Sequence, residues 1–560
     1  MPSIPVRLTT LMARGPLRAL APSILLSLGC LAGHVQARAV GAVVRTDAGD
    51  LLGTATAAGT AFLGVPFAAP PVGDLRWRAP QPVAPWSGVR TAQAAGPTCM
   101  QDPRIPPAGV GNNSEDCLYL NVHVPAQAST ARPLPVMVWI HGGAFINGAG
   151  SQYDGTVLAR EAQAVVVTVN YRLGIFGSLA LDALAGEAKA GNYALQDQQA
   201  ALRWVQRNIA AFAGDAGRVT IFGESAGGTS VCNQLISPAA KGLFQRAIIQ
   251  SGTCPSVQPT RAQAVAVGNA YADKLGCAAG ARQLACLRSK SALQALVASP
   301  AIDAADPASL GQFSPHIDGV VLPEAPRTAI RAGRFHKVPV LLGNNADEGT
   351  LFIALAFELQ RGTPMTEAEF QAMVKGNAGD SGIAALASSI VVDAYRPSRY
   401  GSPNLSAAAL LGDSLFACPT QFLARALSDH VPTYAYEFQE KSAPAFVSDP
   451  FMPWGAFHAA ELPFVFGTRI VTTPPSPDPA EVATPAQLAL SKAMMAYWGQ
   501  FAATGQPNAA GQKAWPRFNR LLQATQTFKS QGIGTELLGA PYVRHQCLLW
   551  DATALLGTLQ

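Results

Sequence analysis

Two runs of the chain are almost entirely apolar, and they limit the possible folds more than any other feature. They span residues 135–140 (PVMVWI) and 164–169 (AVVVTV). Strands of this kind occur in parallel sheets that are covered by helices on both faces. Residues 193–212 carry apolar side chains at helical spacing, and further strands are predicted at 218–222 and 338–343. This alternation predicts a doubly wound α/β fold with a large, mostly parallel central sheet flanked by helices.

The length suits one large enzyme or about two to four ordinary domains. The chain has 560 residues, of which 49% are hydrophobic, so it can bury a large core and intrinsic disorder is excluded. Only 13% are charged, the net charge is +5, and no Lys/Arg-rich run occurs, which argues against nucleic acid as a partner. We find no internal repeat and no break in composition. Residues 40–560 are therefore predicted to form a single domain, with a helix-rich stretch from 367 to 427.

The first 39 residues have the features of a secretory signal peptide. Three arginines precede an apolar stretch at 20–32, and small residues follow at 35–39. This apolar stretch is too short to cross a bilayer as a helix, which takes about 20 residues. No later stretch offers 18 uninterrupted apolar residues, so we expect a soluble mature protein that is secreted or periplasmic. A lipid anchor on Cys30 is the minor alternative.

A G-x-S-x-G pentapeptide at 223–227 stands between the strand predicted at 218–222 and a following helix. At such a sharp turn only small flanking residues let the chain pass. The hydroxyl of Ser225 is then lifted above the sheet, at the positive end of the helix. This context makes Ser225 the predicted nucleophile; the alternative is a glycine-rich turn whose serine has no chemical role.

A serine hydroxyl needs a base, and the base needs a carboxylate that orients it. Among eight histidines, His458 is favoured because it lies in a loop rich in glycine and aromatic residues near the end of the fold. The alternative is a loop histidine that is only solvated. Asp347 and Glu348 lie in the segment GNNADEG (343–349) that follows the strand, just past its C-terminal end, where α/β folds place active-site groups. The residues alone do not choose between these two carboxylates.

A second glycine-containing loop, HGGAF at 141–145, follows the strand at 135–140. Backbone N–H groups that approach a substrate without side chains in the way can stabilise an oxyanion. This element therefore predicts an oxyanion hole, and the alternative is an ordinary glycine turn.

Seven segments together resemble the type-B carboxylesterase/lipase family, which includes the bacterial para-nitrobenzyl esterases and the cholinesterases. They are SEDCLYLNV at 114–122, HGGAF at 141–145, NYRLG at 170–174, FGESAGG at 222–228, QSG at 250–252, NADEG at 345–349 and HAAELP at 458–463. The similarity covers roughly residues 40–550, and the order serine, acid, histidine is the one that α/β-hydrolases use. The resemblance implies the α/β-hydrolase fold, with helical insertions over the active face.

Position by position, the resemblance implies three catalytic groups: Ser225 as nucleophile, His458 as general base and Glu348, selected over Asp347, as carboxylate. The implied oxyanion-hole N–H groups are those of Gly143, Ala144 and Ala226. The implied supporting residues are Gly142, Glu224 and Ser251. Of these, Ser251 matches a family serine that hydrogen-bonds the catalytic carboxylate. Glu115 and Arg172 match a buried structural ion pair of the family.

Of the nine cysteines, Cys30 is expected to leave with the signal peptide, and the other eight would meet an oxidising compartment, where disulfides persist. The close pairs 99/117 and 277/286 lack the spacing of zinc sites, so short disulfide loops are the first expectation. The resemblance implies the disulfides Cys99–Cys117, Cys277–Cys286 and Cys418–Cys547. It leaves Cys232 and Cys254 without a match.

Together these features predict a serine carboxylic ester hydrolase that cleaves small to medium esters through an acyl-enzyme, without metal or cofactor. Residues 100–116, the loop that carries a choline-binding tryptophan in cholinesterases, contain no aromatic residue, which argues against a quaternary ammonium substrate. Alternatives are an aromatic-ester, polyester or toxin esterase, a lipase and, remotely, a non-catalytic binding protein of the cholinesterase type. The base must be neutral to act, so we expect activity to fall below about pH 6–7.

Overall fold

The computed structural model describes residues 42–102, 112–184, 191–252, 254, 258–299, 312–376, 382–445, 451–471 and 478–556. The predicted signal peptide, residues 1–39, and the lipid-anchor alternative at Cys30 lie outside these ranges.

The strands of the described residues are short at the two ends of the chain and longer in the middle. They are β1 (Val43–Arg45), β2 (Asp50–Leu52), β3 (Thr54–Thr56), β4 (Gly59–Pro66), β5 (Val89–Thr91), β6 (Thr98–Cys99), β7 (Asn113–Ser114), β8 (Tyr119–Pro125), β9 (Leu134–Ile140), β10 (Val165–Val169), β11 (Gly214–Glu224), β12 (Arg246–Gln250), β13 (Val340–Asn345), β14 (Thr433–Phe438), β15 (Thr525–Phe528) and β16 (Gly534–Glu536).

Helices connect the central strands and dominate the stretch between β13 and β14. They are α1 (Thr156–Ala162), α2 (Gly174–Ser178), α3 (Tyr193–Asn208), α4 (Ala226–Ile236), α5 (Arg261–Lys274), α6 (Gln283–Ser289), α7 (Ala292–Val297), α8 (Pro326–Arg331), α9 (Gly349–Ile353), α10 (Leu359–Arg361), α11 (Glu367–Gly376), α12 (Gly382–Ala394), α13 (Pro397–Tyr400), α14 (Pro403–Gly412), α15 (Cys418–Ser428), α16 (Leu462–Phe466), α17 (Pro479–Val482), α18 (Pro485–Thr504), α19 (Ala540–Arg544) and α20 (Cys547–Leu556). Two π-helical segments, Ala354–Glu358 and Asp413–Ala417, follow α9 and α14.

One large mixed sheet organises the molecule, with the strand order β16-β15-β14-β13-β12-β11-β9-β10-β8-β4-β3. The strands from β15 to β10 in this order all run parallel. Antiparallel pairing is confined to β16 at one side and to β8, β4 and β3 at the other. The predicted mostly parallel sheet is therefore confirmed. The carboxyl ends of its parallel strands meet at one edge, where α/β folds place ligands.

The strand β9 shows why its sequence is apolar throughout. Val136, Val138 and Ile140 belong to the core cluster on one face of the sheet. Met137 and Trp139 belong to the cluster on the other face, and all five side chains are buried. Because successive side chains of a strand point to opposite faces, a strand that is covered on both sides has no position for a polar residue.

The prediction of an ion pair between Glu115 and Arg172 was wrong. Each residue lies in an ion pair of its own. Arg76 Nε donates to Glu115 Oε1 at 2.5 Å, and a guanidinium nitrogen of Arg172 lies 2.7 Å from Asp197 Oδ1. A motif match gives the charged residues, but the fold decides which opposite charge lies nearest to each of them.

Four disulfides are present in the described residues. Three are those implied by the family resemblance, Cys99–Cys117, Cys277–Cys286 and Cys418–Cys547. The fourth joins Cys232 to Cys254, the two cysteines that the sequence left unmatched. It links α4, the helix that follows Ser225, to the segment after β12.

A second cluster of buried charges lies near the C-terminus. His545 stands between Asp413, 2.5 Å from Nδ1, and Glu437, 2.7 Å from Nε2. Arg544 also pairs with Glu437. Burial by itself lowers the pKa of His545, but the two carboxylates outweigh it and raise this pKa to about 10. These contacts tie α19 and the start of α20 to β14 and to the second π-helical segment.

One continuous helical segment, Pro403–Ser428, is long and apolar enough to cross a membrane by composition alone. Because 72% of its most apolar window is buried inside the protein, it has the character of a core helix.

Candidate active site

Ser225 lies at a strained turn between β11 and α4. Its φ of +57° is rare for a residue with a side chain, and its N–H donates to Gln250 O at 2.9 Å. A Cβ atom at Gly223 would lie 2.6 Å from the carbonyl oxygens of Ile140 and Gly227, and one at Gly227 would lie 2.0 Å from Ile140 O. The two glycines of G-x-S-x-G are therefore required by close contact with β9, as predicted for this turn. Ser225 itself stays partly exposed.

The loop after β9 turns back towards Ser225. Gly143, Ala144 and Phe145 have φ values of +101°, +51° and +61°. A Cβ at Gly142 would lie 3.1 Å from Ser225 Cβ, so the glycine lets the loop approach the serine. Ile146 N–H and Asn147 N–H both donate to Gly143 O and close the loop.

Three backbone N–H groups in these two turns are candidate donors to a ligand. Those of Gly143 and Ala144 donate no hydrogen bond to any residue that the structure describes. That of Ala226, the first residue of α4, has no acceptor within its own helix, as is usual for a helix N-terminus. Free donors at a helix N-terminus favour negative charge.

The ring of His141 contacts this loop and packs against Tyr171. It stacks on Tyr171 at 4.3 Å between ring centroids, and its Nδ1 lies 2.8 Å from Gly142 O. Burial lowers the pKa of His141 to about 4. The ring is therefore neutral at ordinary pH and can donate Nδ1–H to this carbonyl.

Glu348 and His458 meet after β13 and after β14, although 110 positions separate them. Glu348 Oε2 lies 2.6 Å from His458 Nδ1. Its other oxygen, Oε1, accepts hydrogen bonds from Ser251 Oγ at 2.6 Å and from the N–H of Asn345 at 2.7 Å. The carboxylate is buried and its two oxygens contact three donors, so its orientation is fixed.

Asp347, the neighbouring carboxylate, has a different contact. Its Oδ2 accepts the N–H of Ala456 at 2.8 Å, and a Cβ at Gly455 would lie 2.4 Å from the same oxygen. Asp347 therefore holds the loop that leads to His458. Of the two acids that the residues alone left open, only Glu348 reaches the imidazole.

A second carboxylate lies beside the other ring nitrogen of His458. Glu224 Oε1 is 3.0 Å from Nε2, but at an angle that does not make it a hydrogen-bond acceptor. Within the described residues, Ser225 Oγ makes no hydrogen bond to His458. Burial lowers the pKa of His458, and the nearby Glu224 and Glu348 outweigh it, so this pKa is raised well above its ordinary value. Activity is therefore expected to fall at a higher pH than an ordinary histidine pKa implies.

A further buried acid, Glu461, closes the cluster. It accepts hydrogen bonds from Gln250 Nε2 at 2.9 Å and Asn345 Nδ2 at 2.7 Å. Burial and the charges of Glu224 and Glu348 raise its pKa to about 8. In the sequence, Glu461 is recognisable only as part of the segment HAAELP. An acidic residue three positions after the histidine was the available signal.

The site thus brings together the groups that the sequence predicted from distant segments: the serine turn, the glycine loop, the carboxylate–imidazole pair and Ser251. A nucleophile, a base held by a carboxylate and free N–H donors are the parts of acyl transfer by serine hydrolases. The contacts of Glu224 and Glu461 were not predicted.

Comparison with known proteins agrees with this chemistry. The sequence model of the carboxylesterase family matches residues 40–538. Acylcarnitine hydrolase of Mus musculus is 37% identical over 477 residues, 81% of each chain. Cocaine esterase of Oryctolagus cuniculus is 36% identical over 491 residues, which cover 82% of this chain and 85% of the relative.

Solved structures agree as well. A structure of PNB esterase is 35% identical, covers 90% of this chain and 99% of its own, and superposes with a TM-score of 0.74. A thermophilic PNB esterase is 33% identical at the same coverage and TM-score.

Proposed function

Since the chain belongs to the carboxylesterase family and is a serine carboxylic ester hydrolase of the α/β-hydrolase fold, we propose that Ser225, Glu348 and His458 form its catalytic triad. The observation that carries the proposal is the buried 2.6 Å contact between Glu348 Oε2 and His458 Nδ1, next to a serine at a strained strand-to-helix turn. A carboxylate on one ring nitrogen fixes the imidazole so that the other nitrogen can serve the nucleophile.

In the proposed reaction, Ser225 Oγ attacks the ester carbonyl carbon while His458 Nε2 takes the hydroxyl proton. The carbonyl oxygen becomes an oxyanion and accepts hydrogen bonds from the N–H groups of the glycine loop and of Ala226. The N–H groups of Gly143 and Ala144 donate to none of the described residues, so no hydrogen bond to those residues has to break. The alcohol leaves with the proton from His458, and water then repeats the sequence on the acyl-enzyme.

Glu224 and Glu348 together shift the pH range that we expect for this reaction. Nε2 of His458 lies 3.0 Å from Glu224 Oε1 without hydrogen-bond geometry, so in the proposed reaction it can accept the proton of the adjacent Ser225. The raised pKa keeps the imidazole protonated to higher pH than usual. We therefore expect activity to fall on acidification already above about pH 6.5, the ordinary value for histidine.

The proposed substrate is a small to medium carboxylic ester. The names of the relatives refer to acylcarnitine, cocaine and PNB, so they do not single out one alcohol. Rates on a panel of acyl chains and alcohols would separate a general esterase from an aromatic-ester, polyester or toxin esterase and from a lipase.

Export is part of the proposal. Residues 1–39 have the pattern of a cleaved signal peptide. Eight of the nine cysteines pair in four disulfides, a state that persists in oxidising compartments. N-terminal sequencing of protein from a secreting host should begin near residue 40; a mature chain that keeps its first residues contradicts export by this route.

Replacement of the nucleophile tests the function directly. Ser225→Ala should lower kcat on an activated ester by a factor on the order of 10⁶, as in other serine hydrolases. Ser230→Ala is the matched control, because Ser230 lies on α4 and its hydroxyl accepts a hydrogen bond from the neutral Gln198. Hydrolysis that survives in Ser225→Ala and resists organophosphate places the nucleophile elsewhere.

A further inference from the structure

Two phenyl rings pack against the imidazole of His458. The centroid of Phe416 lies 4.7 Å from that of the imidazole, and the centroid of Phe352 lies 5.0 Å from it. Both rings are tilted by 44° to the imidazole, and they stack on each other at 5.6 Å. The three rings thus form a closed group, in which Phe416 and His458 are buried and Phe352 is partly exposed.

The two phenylalanines come from helices that are pressed together at glycines. A Cβ at Gly349, the first residue of α9, would lie 1.9 Å from Ala408 O on α14. A Cβ at Gly412 would lie 3.2 Å from the N–H nitrogen of Gly349. Phe352 stands on α9 itself, and Phe416 stands in the π-helical segment that continues α14. Segments of π-helix inside α-helices are frequent at functional sites.

The polar contacts of the imidazole do not fix its orientation by themselves. Nδ1 has one short contact, 2.6 Å to Glu348, and a single contact at one ring nitrogen does not fix the tilt of the ring. Nε2 lies 3.0 Å from Glu224 without hydrogen-bond geometry. The charge of Glu224 attracts the protonated imidazole, so a ring that is free to tilt would settle further towards Glu224.

We propose that Phe352 and Phe416 are positioning residues that hold the imidazole of His458 at the angle required for proton transfer. This inference rests on the proposed role of His458 as general base. Aromatic contacts of this kind contribute free energy beyond that of the buried area. If this contribution is lost completely in the transition state, each ring corresponds to a rate factor of about 2 to 12. Loss of both rings should lower kcat by less than the product of the two single factors, because the rings also stack on each other.

The test replaces each ring by a branched aliphatic chain in the full-length enzyme. Phe352→Leu and Phe416→Leu should lower kcat by about threefold to tenfold at nearly unchanged KM. Phe352→Tyr keeps the ring at the partly exposed position and should restore most of kcat. Phe335→Leu is the matched control: it removes a phenyl ring 5.8 Å from the imidazole of His430 and should leave kcat unchanged.

Acyl-chain length separates positioning from a role as a pocket wall. The imidazole takes part in every turnover, so the Leu variants should lose the same factor on acetyl, butyryl and octanoyl esters of one phenol. They should lose the same factor in the rate of organophosphate reaction with the serine. A loss that depends on acyl length, or a gain on long chains, overturns the proposal in favour of a wall. Equal rates for wild type and both Leu variants overturn it as well.

Failure of the proposed function gives a different result. If Ser225→Ala remains active, the triad itself is wrong, whatever the phenylalanine variants do. If Ser225→Ala is inactive while Phe352→Leu and Phe416→Leu match the wild type, the triad stands and only the positioning role is lost. Thermal midpoints of all variants, measured alongside, show whether a lowered kcat reflects partial unfolding.

Discussion

Ser251 offers a quantitative test of how the carboxylate is held. Its hydroxyl donates to Glu348 Oε1 at 2.6 Å in a fully buried setting. Ser251→Ala removes this donor and leaves Oε1 with the N–H of Asn345 alone. The backbone strain is unchanged, because serine and alanine both place a Cβ at the φ of +47° that this position adopts. The substitution therefore isolates one hydrogen bond.

The expected magnitude follows from the charge of the acceptor. A hydrogen bond to a charged group contributes about 1.5–3 kcal/mol. Since each 1.36 kcal/mol is a factor of ten in rate, complete loss in the transition state lowers kcat by about 10- to 150-fold. The serine contacts Glu348 and no substrate in this account, so KM should change little. Steady-state kinetics on one activated ester give both values.

A control keeps the interpretation specific. Ser491→Ala removes a buried hydroxyl that donates to the neutral carbonyl of Phe464 at 2.8 Å. It should cost about 0.5–1.5 kcal/mol of stability and leave kcat unchanged. If Ser251→Ala retains kcat within twofold, or if its effect appears in KM alone, Glu348 is not oriented by this hydroxyl in the way described.

Three further predictions concern charge and cross-linking. Glu224→Gln removes a charge that raises the pKa of His458, so the acidic limb of the pH–rate profile should move to lower pH; an unmoved limb contradicts this. Replacing both Cys232 and Cys254 by alanine opens a loop of 22 residues and should lower the free energy of unfolding by about 3 kcal/mol, seen as a lower thermal midpoint without reductant. His545, whose folded pKa is about 10 against about 6.5 unfolded, stabilises the fold fully below pH 6.5, and this contribution is lost as the pH rises through 10. The thermal midpoint of the wild type should therefore fall over that range, and that of His545→Gln should start lower and fall less; equal slopes would show that this histidine does not titrate there.

The sequence predicted those parts of the site that depend on local backbone geometry. The serine turn needs glycines at fixed offsets, and the strand β9 needs apolar residues on both faces. Both features can therefore be recognised in the sequence. The choice of Glu348 over Asp347 came from the family resemblance. The structure explains it, because only Glu348 reaches the imidazole while Asp347 holds the loop at Ala456.

The parts that the sequence did not predict depend on which distant groups become neighbours. The partners of Glu115 and Arg172 were assigned wrongly because several charges of each sign are available and only packing selects among them. The Cys232–Cys254 bond was missed because its partners carry no motif. The position of Glu224 beside Nε2 shifts the expected pH dependence of the base, and no spacing rule contains that contact.

Covalent labelling by an organophosphate tests the central claim most directly. The reagent reacts only with a nucleophile that is activated by its surroundings. Peptide mapping by mass spectrometry after complete inactivation should show one adduct per chain, on Ser225, and no adduct on the His458→Ala variant over the same time. An inactivated enzyme whose adduct lies on another residue, or an active enzyme whose Ser225 stays unmodified, contradicts the account.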